Sequence, residues 1–181
     1  MPEKAELATF EQAVVPHLGA AYNLARWLTG NDHDAEDVVQ ESYLRALKFF
    51  AGFRGGNSRP WLLTIVRNTC YTWLHQQHTN EVLDEKMDNL GSDAFDPETI
   101  YMHIIDQEKV KAAIEALPLS LREVTVLREL EELSYKEISS IAHIPMGTVM
   151  SRLAHARKRL QRDLAVEVRG HADANRIHIR G

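Results

Sequence analysis

The sequence predicts an all-α fold: two small helical domains joined by an acidic linker, with a helix-turn-helix in the second domain. Apolar residues recur at steps of three and four along most of the chain, as they do in amphipathic helices. The 181 residues are enough for one large domain or two small ones. The stretch 79–99 holds seven acids and one base, and its Gly-Ser-Asp and Asp-Pro turns interrupt helical order. We therefore predict domains at 1–80 and 104–165, a linker at 81–103 and a tail at 166–181.

The composition excludes several classes of protein. Hydrophobic residues make up 44% of the chain, which is enough for a packed core. The single cysteine, Cys70, excludes an internal disulfide framework and a multi-cysteine zinc site, and it fits a reducing cytoplasm. The chain has neither an apolar run of membrane-spanning length nor a signal-peptide core, so we expect no membrane insertion. Because no metal-ligand spacing, phosphate-binding glycine motif or activated nucleophile is present, we expect neither a cofactor nor catalysis.

Two amphipathic helices are predicted near the N-terminus. The first runs from Leu7 to Leu28 with an expected break near Pro16, and Gly30 stands in the usual stop position. The second runs from Asp32 to Phe50, and either Asp32 or Asp34 can cap it. Its buried face is expected to consist of Ala35, Val39, Ser42, Ala46 and Phe49 or Phe50.

The polar face of this second helix has two interpretations. It carries Asp37, Gln40, Glu41, Leu44, Arg45 and Lys48. The first interpretation is a solvated helix surface. The second is a protein-docking surface, in which Leu44 is an apolar anchor within a polar rim. The residues by themselves leave both interpretations open.

A glycine-rich loop and a third helix form a basic segment. Ser58 is expected to cap this helix, which continues to about Gln77. One stripe at steps of four consists of Arg59, Leu63, Arg67, Tyr71 and His75. Basic residues interleaved with aromatic rings suit single-stranded nucleic acid, although Trp61 and Trp73 fit the hydrophobic core better. The loop Gly55-Gly56-Asn57 beside Arg54 favours a nucleic-acid role, because glycine lets a base approach the backbone closely.

The second domain is predicted to begin with a helix from about Ile100 to Ala116. Ser120 should cap the next helix, which runs from Leu121 to Glu131 and has Glu123 at the capping-box position. This helix should pack on the helix-turn-helix through Val124, Leu127 and Leu130 or Leu133. After Leu164 the apolar stripe is lost, and we expect the tail to be frayed.

Residues 133–160 have the pattern of a helix-turn-helix that reads DNA. Ser134 and Glu137 have capping-box spacing, Pro145 breaks the first helix, and a second helix starts at about Thr148. From Met146 to Arg162 there are five Arg or Lys residues and no acid. Such a helix suits the major groove, with its N-terminal residues at base edges and later residues at phosphates. The alternative is a helical hairpin with a solvated basic face.

Three stretches together resemble bacterial sigma factors of the extracytoplasmic-function (ECF) type. They are DAEDVVQESYLRAL from Asp34, SRPWLLTIVRNTCYTWL from Ser58, and the segment from Leu117 to Leu160. They occur in the order and spacing of that family, and the resemblance covers about residues 7–164. It implies a transcription initiation factor of the cytoplasm whose partners are core RNA polymerase, promoter DNA and an anti-sigma factor.

The resemblance also implies roles for individual residues. The residues expected to dock on core RNA polymerase are Asp37, Gln40, Glu41, Leu44 and Arg45. The candidates for melting the minus-ten element and trapping a flipped base are Arg54, Asn57, Ser58, Arg67 and Asn68. The candidates for reading the minus-thirty-five duplex are Thr148, Ser151, Arg152, His155, Arg157, Lys158 and Arg159. Met150 stands where many members have Lys or Arg, so the preferred promoter sequence does not carry over.

Two other functions remain open. A sigma-like interaction protein would sequester an anti-sigma factor without starting transcription, but such a decoy has no need of basic residues in both DNA-reading regions. A plain helix-turn-helix regulator would bind duplex DNA without polymerase, and it leaves the motif from Asp34 to Phe50 unexplained.

Overall fold

The computed structural model describes the backbone of residues 4–77 and 107–177, and the side chains of residues 6–77 and 107–165. Within these ranges the chain forms helices and no strand, so the predicted all-α class is confirmed. The predicted acidic linker and the start of the helix predicted from Ile100 lie outside the described residues. None of the described helices combines the length and the apolar character that crossing a membrane requires.

Four helices form the first helical unit. They are α1 (Lys4–Val14), α2 (Leu18–Thr29), α3 (Asp32–Phe49) and α4 (Ser58–Gln77). The predicted break near Pro16 is confirmed, because a 3₁₀ turn at Val15–His17 separates α1 from α2. Phe10 is fully buried, and its ring packs edge-on against Tyr43 and Phe50 at centroid distances of 5.1 and 5.2 Å. These contacts join α1 to α3 and to the turn that follows α3.

The boundary between α2 and α3 differs in one detail from the prediction. Gly30 ends α2 with a φ of 90°, as expected for the residue after a helix. However, the N-cap of α3 is Asn31, whose Oδ1 accepts a hydrogen bond from the amide of Asp34 at 2.9 Å. The prediction that Asp32 or Asp34 caps this helix was therefore wrong. The Asp32 carboxylate instead accepts a 2.6 Å hydrogen bond from Arg26 Nε, which lowers the pKa of Asp32.

The second unit begins with α5 (Gln107–Glu115) and α6 (Leu119–Thr125). Ser120 does not cap α6, because the N-cap is Pro118 and makes no side-chain hydrogen bond. Glu123 is fully buried, so it does not form the predicted capping box. After α6 the helix widens into a π turn at Val126–Leu130, in which the amide of Glu131 donates to the carbonyl of Val126 at 3.0 Å. Such turns often occur at functional positions in helices.

The helix-turn-helix forms as predicted, with a slightly earlier second helix. Helix α7 spans Tyr135–Ala142, and both reciprocal hydrogen bonds of the Ser134–Glu137 capping box are present. His143 then adopts a left-handed conformation with a φ of 55° and ends the helix. Helix α8 spans Met146–Ile177 and begins two residues before Thr148. Val149, Leu153 and Ala156 are buried, which fixes the inner face of α8.

The tail prediction was wrong for the backbone. Helix α8 does not fray after Leu164 but continues to Ile177. The loss of an apolar stripe removes a packing surface, whereas helix formation depends also on local propensity. No proline follows Pro145, and the added residues include several alanines, the best helix formers.

Candidate nucleic-acid and protein-binding surfaces

The five predicted polymerase-binding residues lie on one outward face of α3. Asp37, Gln40 and Glu41 are exposed, and Leu44 is 62% exposed. Arg45 Nε donates to Glu41 Oε1 at 2.8 Å, which is the favourable i,i+4 arrangement. An apolar side chain with this exposure, held among ordered charges, can enter a pocket of a partner protein. The structure thus brings the predicted residues together, while their role stays a prediction.

The opposite face of α3 corrects two predicted core positions. Val38 is buried in place of Val39, which is only half-buried. Phe49 is 56% exposed, whereas Phe50 packs into the aromatic cluster with Phe53 and Trp61. Of the two alternatives that the periodicity left open for the last core position, Phe50 is therefore the one that packs inward, and Phe49 is an exposed apolar side chain at the end of α3.

The loop before α4 exposes two of the five minus-ten candidates. Gly55 and Gly56 have φ values of 82° and 94°, which favour glycine, and the neighbouring Arg54 and Asn57 are exposed. Asn57 Oδ1 accepts a hydrogen bond from the amide of Arg59 at 3.1 Å and so supports the first turn of α4. The side chain of Ser58 instead donates to the carbonyl of Ala13 at 2.7 Å, so the prediction that Ser58 caps α4 was wrong.

Arg67 and Asn68 differ in exposure, although Arg67 Nη1 donates to Asn68 Oδ1 at 3.5 Å. Asn68 is exposed. Arg67 is largely covered by the second unit: its Nε lies 2.5 Å from Oε1 of the fully buried Glu123. The guanidinium carbon also lies 4.0 Å from the ring centroid of Tyr71, whose hydroxyl donates to Glu123 Oε2 at 2.9 Å. Burial lowers the pKa of Arg67, but the hydrogen bond and the charge of Glu123 outweigh it, so the pKa is raised.

A second ion pair joins the same two units. Arg59 Nη2 lies 2.7 Å from Oε2 of Glu131, which is 7% exposed. The side-chain amide of Asn23 donates to the other oxygen of Glu131 at 2.5 Å. Sequence reasoning missed Glu123 and Glu131 as partners of this surface, since they lie 56 and 72 positions from Arg67 and Arg59. The stripe of Arg59 and Arg67 on α4 is the signal for this surface, although it does not identify the acidic partners.

Arg122 links the two units through hydrogen bonds to backbone carbonyl groups. Its Nη1 donates to the carbonyl of Trp27 at 3.1 Å, near the end of α2. Its Nη2 donates to the carbonyls of Glu115 and Leu117 at 2.6 and 2.9 Å. One guanidinium thus satisfies carbonyl groups at the C-terminal ends of two helices, where such groups lack helical partners. Burial lowers the pKa of Arg122, partly offset by the charge of Glu115.

The seven minus-thirty-five candidates lie along the first four turns of α8. Ser151, Arg157 and Lys158 are exposed, whereas the other four are half-buried: Thr148, Arg152, His155 and Arg159. The hydroxyl of Ser151 donates to the carbonyl of Thr148 at 3.1 Å. Met146 and Met150 are 43% and 47% exposed at the N-terminal end of the same helix. This end can therefore offer apolar contacts as well as polar ones, and thymine methyl groups accept such contacts in the major groove.

Comparisons with known proteins agree with this arrangement. The family models for Sigma-70 region 2 and Sigma-70, region 4 match residues 13–79 and 107–160. The chain is 32% identical to the ECF RNA polymerase sigma factor SigE of Mycolicibacterium smegmatis, over 90% of this chain and 64% of that protein. It is 34% identical to the ECF RNA polymerase sigma-E factor of Escherichia coli, over 69% of this chain and 71% of that protein.

A solved structure has the same architecture. It is the sigma factor RpoE of Bartonella quintana in complex with the anti-sigma factor NepR, with a TM-score of 0.68 and 31% identity. The likeness covers 87% of this chain and 98% of that one. The chain spans about two thirds of the length of the mycobacterial relative and slightly more of the enterobacterial one. With both sigma-70 regions matched in order, the chain belongs to the family of ECF RNA polymerase sigma factors.

Proposed function

We propose that this chain is a transcription initiation factor that binds core RNA polymerase and directs it to specific promoters. It reads the minus-thirty-five element as duplex and melts the minus-ten element. One observation carries the proposal: in a chain of the ECF family, the outward face of α3 and the basic helix α8 are both built and both accessible. A plain DNA-binding regulator has no use for the first surface, and a decoy has no use for the second.

Docking on polymerase is assigned to the α3 face. Leu44 supplies buried apolar area on binding, while Asp37, Gln40, Glu41 and Arg45 orient it through charges and hydrogen bonds. Residues near the centre of an interface contribute most of the affinity, and those around them exclude water. Because Leu44 is 62% exposed, it reaches a partner without any rearrangement of α3.

Duplex recognition is assigned to the start of α8. Thr148, Ser151 and Arg152 occupy its first two turns, where a recognition helix meets base edges. The later residues Arg157, Lys158 and Arg159 meet phosphates and supply affinity that is independent of sequence. His155 lies between the two groups, and its imidazole is suited to contact a base edge.

Promoter melting is assigned to the loop before α4 and to α4 itself. Extruding one base from the stack costs a few kcal/mol, which contacts in a pocket must offset. Exposed Arg54 and Asn57 flank glycines whose backbone a base can approach closely, and exposed Asn68 lies on α4, the helix that directly follows this loop. The amide of Asn68 can both donate to and accept from a base, so it is suited to capture the flipped nucleotide.

An anti-sigma factor is the proposed regulatory partner, and the cytoplasm is the proposed place of action. Support comes from the Bartonella relative, which was solved with the anti-sigma factor NepR. Exposed apolar residues on this chain, including Leu44 and Phe49, offer contacts for such a partner as well as for polymerase. An anti-sigma factor that covers the α3 face would exclude polymerase by direct competition.

Run-off transcription on fragmented genomic DNA tests the proposal. Bacterial core polymerase is incubated with the chain, without it, and with a variant carrying Asp37→Ala and Arg45→Ala. We expect transcripts that need the chain, that share two spaced upstream elements and that decline with the variant. Absence of both transcripts and polymerase binding would favour the decoy or the plain DNA-binding regulator, and equal activity of the variant would remove α3 from the docking surface.

A further inference from the structure

Two rows of side chains with different chemistry lie on the outer side of α8. The apolar row is exposed, and its members follow one another at steps of four: Met146, Met150 and Ala154. The polar row is half-buried: Thr148, Arg152 and His155. At about 100° per residue, the two rows flank the face that points away from buried Val149 and Leu153. The proposed function uses the polar row and leaves the apolar row without a role.

The two methionines give the apolar row most of its surface. Met146 and Met150 are 43% and 47% exposed, although Val149 between them is buried. Residues four apart on a helix are neighbours, so the two side chains adjoin, and Ala154 continues the row by one more turn. A single exposed apolar side chain needs no explanation, whereas a contiguous group points to a binding surface. The apolar row therefore calls for a partner that offers apolar groups.

The charge of the surrounding segment indicates the kind of partner. Residues 146–162 contain five Arg or Lys residues and no acid. The partner of this face must therefore accept several cations, as DNA does through its phosphates. DNA also offers apolar groups on its base edges, because the C5-methyl group of thymine projects into the major groove. Duplex DNA thus matches both the cations and the apolar row, whereas an apolar protein surface matches only the row.

Gly147 indicates that the partner approaches the helix backbone closely. The residue is exposed, and a Cβ added there would meet no atom within 4 Å. Its φ lies outside the left-handed region, so the fold accepts any L-residue at this position. Glycine destabilises a helix relative to alanine, so its presence needs a cause outside the fold. A base edge that comes against the bare backbone is such a cause, and small, exposed Ser151 keeps the next turn accessible in the same way.

The dimensions of the helix and the groove agree with this arrangement. A helix with its side chains is about 10–12 Å across and the major groove is about 12 Å wide, so both flanks of an inserted helix face base edges. From Met146 to Ala154 the helix rises about 12 Å, which corresponds to at most about four base pairs. One flank can therefore contact methyl groups while the other contacts hydrogen-bonding groups.

We propose that Met146 and Met150, continued by Ala154, read thymine methyl groups in the major groove. The polar row on the other flank contacts hydrogen-bonding groups of the same short run of base pairs. The ligand is a duplex with thymines inside a run of about four base pairs. The inference rests on the proposed function, because it names the bases that α8 would recognise in the minus-thirty-five element.

Removal of single methyl groups from the DNA tests the assignment. A binding sequence is selected from a random duplex pool, by the chain alone and by the chain with core RNA polymerase. Each thymine of the selected duplex is then replaced in turn by deoxyuridine, which lacks only the C5-methyl group and pairs in the same way. Burial of one methyl group changes a Kd by about fourfold. We therefore expect the Kd to rise about fourfold at one or more positions and to stay unchanged at the others.

The variants Met146→Ala and Met150→Ala connect the methyl groups to the methionines. Each variant should bind the thymine duplex at least about fourfold more weakly. In a double-mutant cycle, deoxyuridine at the sensitive position should cost the matching variant no further affinity, because the contact is already lost. Leu130→Ala is the matched control, since Leu130 is an apolar residue of the same unit that is 42% exposed and lies outside α8. The control should keep the full effect of deoxyuridine.

Gly147→Ala tests the close approach of the DNA. The added methyl group meets no atom of the chain, so the melting temperature should not fall. Binding to the selected duplex should nevertheless weaken, because the methyl group stands between the backbone and the base edges. Unchanged affinity would contradict the insertion of this side of α8 into the groove.

Three results would overturn thymine reading: a selected sequence without thymine, a Kd that no deoxyuridine raises, or a full deoxyuridine effect in both methionine variants. Weaker binding of these variants to a protein partner but not to DNA would assign the apolar row to that partner instead. Run-off transcription separates this inference from the proposed function. Normal initiation without any methyl effect refutes only the inference, whereas a methyl effect without initiation supports the inference and refutes the initiation role.

Discussion

Arg157 of α8 is paired with Glu129 of the π turn: its Nη2 lies 2.7 Å from Glu129 Oε1, and its Nε donates to the same oxygen at 3.3 Å. Both side chains are 48% exposed. One of the predicted phosphate contacts is thus already held by a carboxylate of its own chain. The hydrogen bond from Arg157 to Glu129, together with the charge of Glu129, raises the pKa of Arg157 despite partial burial.

Glu129→Gln should strengthen binding to duplex DNA modestly. An exposed ion pair contributes about 0–1 kcal/mol, so releasing Arg157 raises affinity by at most about fivefold. Filter binding or anisotropy with a duplex at low salt measures the change. The control is Glu132→Gln, an equal charge change three residues on at an exposed position. Equal gains in both variants would show that only net charge matters and that Arg157 is not limited by its pairing.

Arg152→Ala should weaken binding to the minus-thirty-five duplex and change promoter choice. Loss of a base-reading arginine costs about 1–3 kcal/mol and relaxes specificity at one position. The comparison is Arg159→Ala, at a phosphate-contact candidate, which should weaken all duplexes alike and reduce the salt slope by about one. Selection of binding sites from a random pool distinguishes the two patterns. Unchanged site preference for Arg152→Ala would remove it from the recognition surface.

Leu44→Ala should reduce affinity for core polymerase without unfolding the chain. Because the side chain is 62% exposed, truncation should change the free energy of unfolding by less than about 0.5 kcal/mol. Truncating an interface anchor lowers the binding free energy by at least about 1 kcal/mol, which raises the Kd about fivefold. Val15→Ala is the control, since Val15 is 51% exposed on the same unit but away from α3. A normal polymerase Kd for Leu44→Ala would refute the anchor role.

Cys70 should resist alkylation in the folded chain at neutral pH. The side chain is fully buried, and burial together with the charge of Glu123 raises the pKa of the thiol to about 12. The thiolate is the reactive form, so the reaction should become appreciable only as the pH approaches 12, whereas an exposed cysteine thiol has a pKa of 9.0. The pKa of the Cys70 thiol is higher in the folded chain than in the unfolded chain. The stability that the buried neutral thiol contributes is therefore present below pH 9.0 and is lost as the pH rises towards 12.

Mass-spectrometric alkylation rates across pH measure this property. Glu123→Gln should lower the pKa of Cys70, because it removes one of the charges that raise it. The reference is the chain unfolded in urea, where the thiol should react at its ordinary pKa. Fast reaction of the folded chain at pH 7 would mean that Cys70 is accessible.

The features that could be predicted from the sequence depend on short-range patterns. The capping box of Ser134 and Glu137 follows from a four-residue spacing, and the outward face of α3 follows from helical periodicity. Arg67 was identified as a cation in a basic segment, but its partner Glu123 belongs to another unit. No local pattern relates residues 56 positions apart, and Glu123 stood at an apparent capping position in its own segment. The contact between the units was therefore not predictable from periodicity.

Leu44 is exposed on α3, whereas Arg67 is covered by Glu123 of the second unit. A bacterial chromosome offers roughly 10⁶–10⁹ non-specific sites that would draw a freely binding protein away from its promoters. A chain in which Arg59, Arg67 and Arg157 are paired with its own carboxylates offers fewer cations to such sites. Non-specific DNA should then hold back fewer copies of the free chain, which would leave more of them to meet polymerase under the proposed function.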